Sequence, residues 1–582
     1  MKNCPDFTCR ECLQQGHFAR DCTALKCPDC RRADIRCTCR TSEVEDEGEV
    51  SDSSAAEEGR EAVSTLQECR PSSEEESLPC TQQSVELASS VSGSAGRGLD
   101  MSMVLETETE IENNTQAQLA LLTEELITAK EEVAFTAALQ PSSWDNSGFG
   151  EIGPFDTEIT LEHGNVLTNV GRTYDSTTGV FTAPVKGVYF FTFTTYSWVA
   201  EADIGVKLMK NNEEVLLVWE WQDKGDNEDY ASNSVLLKLE VGDKVYMRLP
   251  KGYQVAASKN SNIHTFSGFL LYPFHNSEDQ SREVAFTAAL QPSSPDDSGF
   301  GRIGPFGIEI TLEYGKVLTN VGRAYDSNIG VFTAPVKGVY FFTFTTYSWV
   351  KEEDIGVKLM KNNEEVLLVW EWQDKGDNED YASNSVLLEL EVGDKVYMHL
   401  PKGYQVAASK NSNIHTFSGF LLYPFHDSED QSREVAFTAA LQPSSWDDSG
   451  FGRIGPFDSE ITLVHGKALT NVGGAYDSNI GVFTAPVKGV YFFTFTTYSW
   501  VAEADIGVKL MKNNEEVLLV WEWQDKGDNE DYASNSVLLE LEVGDRVYMR
   551  LPKGYQVAAS IKSNIHTFSG FLLYSTPTST PQ

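Results

Sequence analysis

The residues best suited to chemistry are gathered at the start of this sequence. All ten cysteines lie within the first 80 residues, eight of them before residue 40. Cys9, Cys12, His17 and Cys22 are spaced Cys-x2-Cys-x4-His-x4-Cys, and three thiolates with one imidazole are a donor set for tetrahedral zinc. Gly16 precedes the histidine, where a tight turn must bring the ring back to the metal. A segment this short has no core of its own, so metal binding supplies its folding free energy. Leu13 and Phe18 offer faces on which unpaired bases stack, and Arg10, Arg20 and Lys26 offer phosphate contacts, so single-stranded nucleic acid is the expected partner. The alternative is a fused segment without present use. Cys27, Cys30, Cys37 and Cys39 follow at once, as four thiolates for a second zinc or as exposed thiols.

Elsewhere the sequence argues against chemistry. The chain has 582 residues, and the last 500 carry no cysteine. Residues 133–582 show no nucleophile elbow and no catalytic constellation, so no enzyme is expected. Net charge is −42, which disfavours a mainly nucleic-acid-binding surface. No run of 18 apolar residues is present, so no membrane span is expected. The first 30 residues lack the apolar stretch of a secretory signal. Residues 41–100 are rich in Glu, Ser, Ala and Gly and nearly free of aromatics, so a disordered acidic linker is expected. Leu119, Leu122, Leu126, Ala129 and Val133 step by three and four, so residues 101–132 read as a short helix or coiled coil. Asn113-Asn114-Thr115 is a glycosylation sequon that matters only in the secretory pathway.

The elements that follow are organised by repetition. VAFTAALQPSS begins at Val133, Val284 and Val435, a period of 151 residues. The period is far longer than a solenoid unit and marks three complete domains, each large enough to bury a core. Each copy reads as β. In the run from Gly187, residues Tyr189, Phe191 and Phe193 share one face at period two. Asn211-Asn212 separates two strand-like runs as a hairpin turn, and Gly242-Asp243 does the same before Val245. Many short strands without helix imply a sandwich or jelly roll.

Two stretches carry resemblances. The spacing of Cys9 to Cys22 resembles the retroviral-type CCHC zinc knuckle. Asn169-x-Gly171-x-x-Tyr174, Gly179-x-Phe181-x-x-Pro184 and Gly187-x-Tyr189-x-Phe191-x-Phe193, with Gly242-Asp243-x-Val245 and Phe266-x-Gly268-Phe-Leu-Leu-Tyr272, resemble the globular head of complement component C1q. The pattern recurs at Asn320 to Phe344 and Asn471 to Phe495. The resemblance implies a mainly β chain of three tandem ten-strand jelly rolls, like tumour necrosis factor, at 133–274, 284–425 and 435–574, with a short tail at 575–582. It implies trimeric assembly and a secreted, non-enzymatic recognition module of innate immunity that binds protein or carbohydrate surfaces. In that family an acidic residue before the Ala-Ser-x-Ser strand start binds calcium near the trimer axis, and Asp229, Asp380 and Asp531 match it. The loop 222–229 is rich in carboxylates, which suits calcium, and the alternative reading is a solvated acidic loop. His264, His415 and His566 read as structural. Trp219 and Trp221 share a face and read as packing or interface residues.

The chain departs from that family in having no Gly-X-Y stalk and three heads per chain. Eleven-residue segments, PFHNSEDQSRE and PFHDSEDQSRE, join consecutive heads and span up to roughly 36–40 Å when extended. One chain is therefore expected to close its own pseudo-trimer. The rival reading is an intracellular, cytoplasmic, zinc-dependent nucleic-acid binder that uses its heads for assembly.

Overall fold

The computed structural model describes residues 113–119, 131–199, 202–221, 229–274, 283–297, 299–349, 353–372, 380–425, 434–501, 504–524 and 531–575. The zinc-ligand candidates Cys9, Cys12, His17, Cys22, Cys27, Cys30, Cys37 and Cys39, the stacking residues Leu13 and Phe18, the linker 41–100 and most of the acidic loops lie outside them.

Residues 113–119 are helical and exposed. Leu122, Leu126 and Ala129 fall outside the described residues. Val133, the last position of the heptad pattern, is not helical and is buried in the core of the first head. Its spacing from Leu119 therefore reflects a residue that belongs to the head.

The first head contains β1 (Ala134–Ala138), β2 (Phe149–Ile152), β3 (Ile159–Thr160), β4 (Asn165–Val170), β5 (Tyr174–Asp175), β6 (Val180–Thr182), β7 (Gly187–Ser197), β8 (Asp203–Lys210), β9 (Glu213–Trp221), β10 (Asp229–Leu239), β11 (Lys244–Leu249), β12 (Val255–Ser258) and β13 (Thr265–Pro273). Ten of these are four residues or longer, in keeping with a ten-strand jelly roll. One sheet runs β10-β7-β13-β1-β4 and the other β5-β6-β11-β8-β9, with β3 beside β11, while β2 and β12 pair separately. All these pairs are antiparallel, and the same pattern recurs in the second and third heads.

Local chemistry explains the turns. Asn211 takes φ 55° between β8 and β9, a left-handed conformation that asparagine tolerates, and its side chain accepts from the Lys244 amide at 2.9 Å. The equivalents Asn362 and Asn513 do the same. In the closing strand, Gly268 lies where a Cβ would come within 2.5 Å of Phe191, so glycine lets the two core aromatics meet.

β7 is buried along all eleven residues. Tyr189, Phe191 and Phe193 face the core of their own head, as period two requires. The opposite face is buried as well, because Val188 and Phe190 join an apolar cluster with Val339, Phe341, Val490 and Phe492 of the other two heads. A strand covered on both faces reads as an unbroken apolar run, which is why Tyr-Phe-Phe-Thr-Phe does not alternate with charged residues.

Candidate functional site: the shared interface of the three heads

β10 is an edge strand of its sheet, so one row of its backbone groups has no partner within its own head. The neighbouring head supplies them. The Leu236 amide donates to Thr287 Oγ1 at 2.8 Å, and Thr319 Oγ1 donates to the Leu236 carbonyl at 2.6 Å. The second head is held by the third in the same way, through Leu387 with Thr438 and Thr470. The third is held by the first, through Leu538 with Thr136 and Thr168. The direction is constant, so the contacts close a ring of three heads within one chain.

Further polar side chains follow the same rotation. Asn233 Oδ1 accepts from Thr416 Oγ1 at 2.7 Å, and Asn384 and Asn535 accept from Thr567 and Thr265. The Trp219 amide donates to the Tyr381 hydroxyl, the Trp370 amide to Tyr532 and the Trp521 amide to Tyr230. Trp219 is buried at this boundary, where its indole N–H also donates to Asp203. At the centre, Phe190, Phe341 and Phe492 meet pairwise with ring centroids 5.9 Å apart at 85–87°, an edge-to-face propeller.

Asp229, Asp380 and Asp531 are each the first residue of the β10-type strand and are buried. Strand alternation puts Asp229 on the face of Ala231 and Val235, which pack in the core of the head, and puts Ser232 on the face towards the other heads. Among the described residues no three His, Cys, Asp or Glu side chains gather as a metal site. The preceding carboxylates at 222–228 lie outside those residues.

The structural histidines are fully buried. His264 Nδ1 lies 3.3 Å from His163 Nε2, and His566 Nδ1 lies 3.2 Å from His465 Nε2. In the second head Tyr314 takes the first position and its hydroxyl meets His415 Nε2 at 3.0 Å. Burial holds His163 down at about 4 and His415 and His465 at about 3. His264 and His566 also fall well below the ordinary value, through burial first and the partner histidine second. These rings are packed away from solvent, and burial disfavours their charged form.

The sequence reading missed Phe190, the gripping threonines and the axial serines. The available signal was the apolar and hydroxyl character of both faces of β7, which a strand with one wet face does not have.

The C1q domain profile matches residues 134–271, 285–422 and 450–573. The third match starts late, although the strand Ala436–Ala440 is present there as in the other heads. The chain is 39% identical over 108 residues to complement C1q tumor necrosis factor-related protein 3 of Mus musculus and, equally, to that of Homo sapiens. Each alignment covers 19% of this chain and 43% of the relative, so the chain spans less than half the length of these curated relatives. Among solved structures, the globular domain of zebrafish complement 1qA protein is 21% identical, with 25% of this chain and 100% of that chain covered and a TM-score of 0.19. Eiger TNF from S. frugiperda is 14% identical, with 26% and 99% covered and a TM-score of 0.20.

Proposed function

We propose, on the premise that the chain belongs to the C1q domain family, that it is a multivalent recognition protein acting outside the cell in innate defence. The observation that carries this reading is the threefold repetition of one head around a shared buried interface. Whatever the outer surface of one head binds is thereby presented three times. Exposed apolar side chains recur at equivalent places, with Phe155, Phe306 and Phe457 in one loop and Val241, Val392 and Val543 on one turn. Once one head is engaged, binding by the next is intramolecular and raises avidity. The ligand class is a repetitive microbial or altered-self surface of protein or carbohydrate. The chemistry is binding, not catalysis.

The cyclic hydrogen bonds support closure of the trimer within one chain. No helix of the described residues is long and apolar enough to cross a membrane. Zinc at Cys9, Cys12, His17 and Cys22, a second zinc at Cys27, Cys30, Cys37 and Cys39, and calcium at Asp229, Asp380 and Asp531 belong to this proposal on the strength of the sequence.

The test is expression of the full tagged chain in cultured animal cells, followed by incubation with intact microbial cells. The expected result is protein in the medium that is retained on the cells. Retention in the cytosol, together with capture of single-stranded oligonucleotides that Cys12→Ser abolishes, overturns this reading in favour of the nucleic-acid alternative.

A further inference from the structure

Beside the phenylalanine propeller, the three heads enclose a narrow cavity whose wall consists entirely of hydroxyl side chains. Each head contributes four, which in the first head are Thr192 and Thr194 from β7 and Ser232 and Ser234 from β10. Strand pairing sets Ser232 opposite Thr194 and Ser234 opposite Thr192, so the hydroxyls stack in tiers along the pseudo-threefold axis. No charged group lines the cavity.

The hydroxyl protons are largely engaged within the wall. Ser232, Ser383 and Ser534 form a triangle with Oγ–Oγ distances of 2.6 to 2.7 Å. Three hydrogen bonds among three hydroxyls use all three protons. Thr194 Oγ1 donates to the Ser534 carbonyl, Thr345 to that of Ser232 and Thr496 to that of Ser383, each at 3.0 Å. Ser234 donates to Thr192, Ser385 to Thr343 and Ser536 to Thr494, at 2.9 to 3.0 Å. Nine of the twelve protons are thus committed, and only Thr192, Thr343 and Thr494 keep one. The cavity presents mainly oxygen lone pairs.

We propose that this cavity binds one monovalent alkali cation on the axis, next to the serine triangle. Where the protons are committed, the remaining oxygen lone pairs attract a hard cation and repel an anion, and the Thr192, Thr343 and Thr494 hydroxyls can rotate their protons away from it. A neutral wall leaves a divalent ion uncompensated, whereas a single positive charge is met by the hydroxyl dipoles. The triangle is too tight to hold an ion in its plane, so the ion sits against one side of it, with threonine oxygens of the adjoining tier completing its shell. The net charge of −42 favours cation entry. The site exists only because three heads meet, and it is separate from the aspartates at the strand starts.

The inference rests on the closure of the three heads and not on what they recognise. It is tested on the full chain in two ways. Crystals soaked in thallium(I) nitrate should show one anomalous peak on the axis beside Ser232, Ser383 and Ser534. In solution, replacing sodium or potassium chloride by choline chloride at equal ionic strength should lower the melting temperature by at least about 2 °C, because an ion bound only to the native state is lost. The triple variant Ser232→Ala, Ser383→Ala, Ser534→Ala should lose both the peak and the difference between salts. If that variant fails to fold, the unsubstituted chain still decides. Water alone on the axis, equal melting temperatures in choline and alkali salts, or stabilisation by calcium in place of alkali ions overturns the proposal. Any of these results alongside a one-chain mass overturns the ion and leaves the closed ring standing.

Discussion

The Tyr574 hydroxyl donates to the carbonyl oxygen of Leu270 in the first head and lies 3.3 Å from that of Val133, 441 residues earlier in the chain. The end of the third head therefore lies against the start of the first. Tyr272 and Val284, at 3.2 Å, and Tyr423 and Val435, at 3.4 Å, make the same contact where the chain passes from one head to the next. The flanking contacts at the two covalently joined junctions and at the open one are thus alike, as eleven residues of reach allow.

The first prediction is that residues 133–582 remain one chain in solution. Light scattering should give the same single-chain mass at tens of micromolar and at sub-micromolar concentration, since a ring closed within the chain has no subunits to lose on dilution. A three-chain species at low concentration contradicts this.

A second prediction concerns the grip on β10. Thr287→Val keeps the shape but removes the Oγ1 that accepts from the buried Leu236 amide. Leaving that donor unpaired should cost about 1–3 kcal/mol, read as a lower guanidinium midpoint with an unchanged slope. Thr287→Ser, which retains the hydroxyl, should lose clearly less.

The buried histidines make stability depend on pH. Their folded pKa values lie below the ordinary 6.5 because burial disfavours the imidazolium. Below pH 6.5 the unfolded chain takes up protons that the folded chain refuses. Stability is therefore full above pH 6.5 and falls as the pH drops towards about 4, the value held by His163. Between pH 6.5 and 5 the His163 shift alone should cost about 1–2 kcal/mol. His163→Tyr with His465→Tyr copies the pairing that the second head already has, and the melting temperature of this double variant should drop less steeply over that range. An unchanged pH profile rejects the assignment.

Cobalt should report the amino-terminal metal site. Added to the zinc-free, reduced chain, it should give the visible absorption of a tetrahedral thiolate site, and Cys12→Ser should abolish the part due to Cys9, Cys12, His17 and Cys22. An octahedral spectrum or no visible absorption removes zinc from the proposal.

What the sequence made legible was local or repeated. Tyr189, Phe191 and Phe193 declared a core face because period two is a property of neighbouring residues, and Asn211 marked a turn because few residues accept its φ. Phe190 stayed unassigned because its partners are 151 and 302 residues away. The same distance hid Ser232, which reads as an ordinary polar strand residue until two copies of itself are brought against it. His264 was recognised as structural, but its pairing with His163 depends on a fold that brings together residues 101 positions apart.

In a ring of identical chains, every substitution is made three times at once and must suit three places together. Here each head is written separately. His163, Tyr314 and His465 already differ at one buried position, and Lys259, Lys410 and Ile561 differ at one near the surface. One head can therefore drift towards a new ligand while its two neighbours keep the old one, and the common interface holds the mixed set in register.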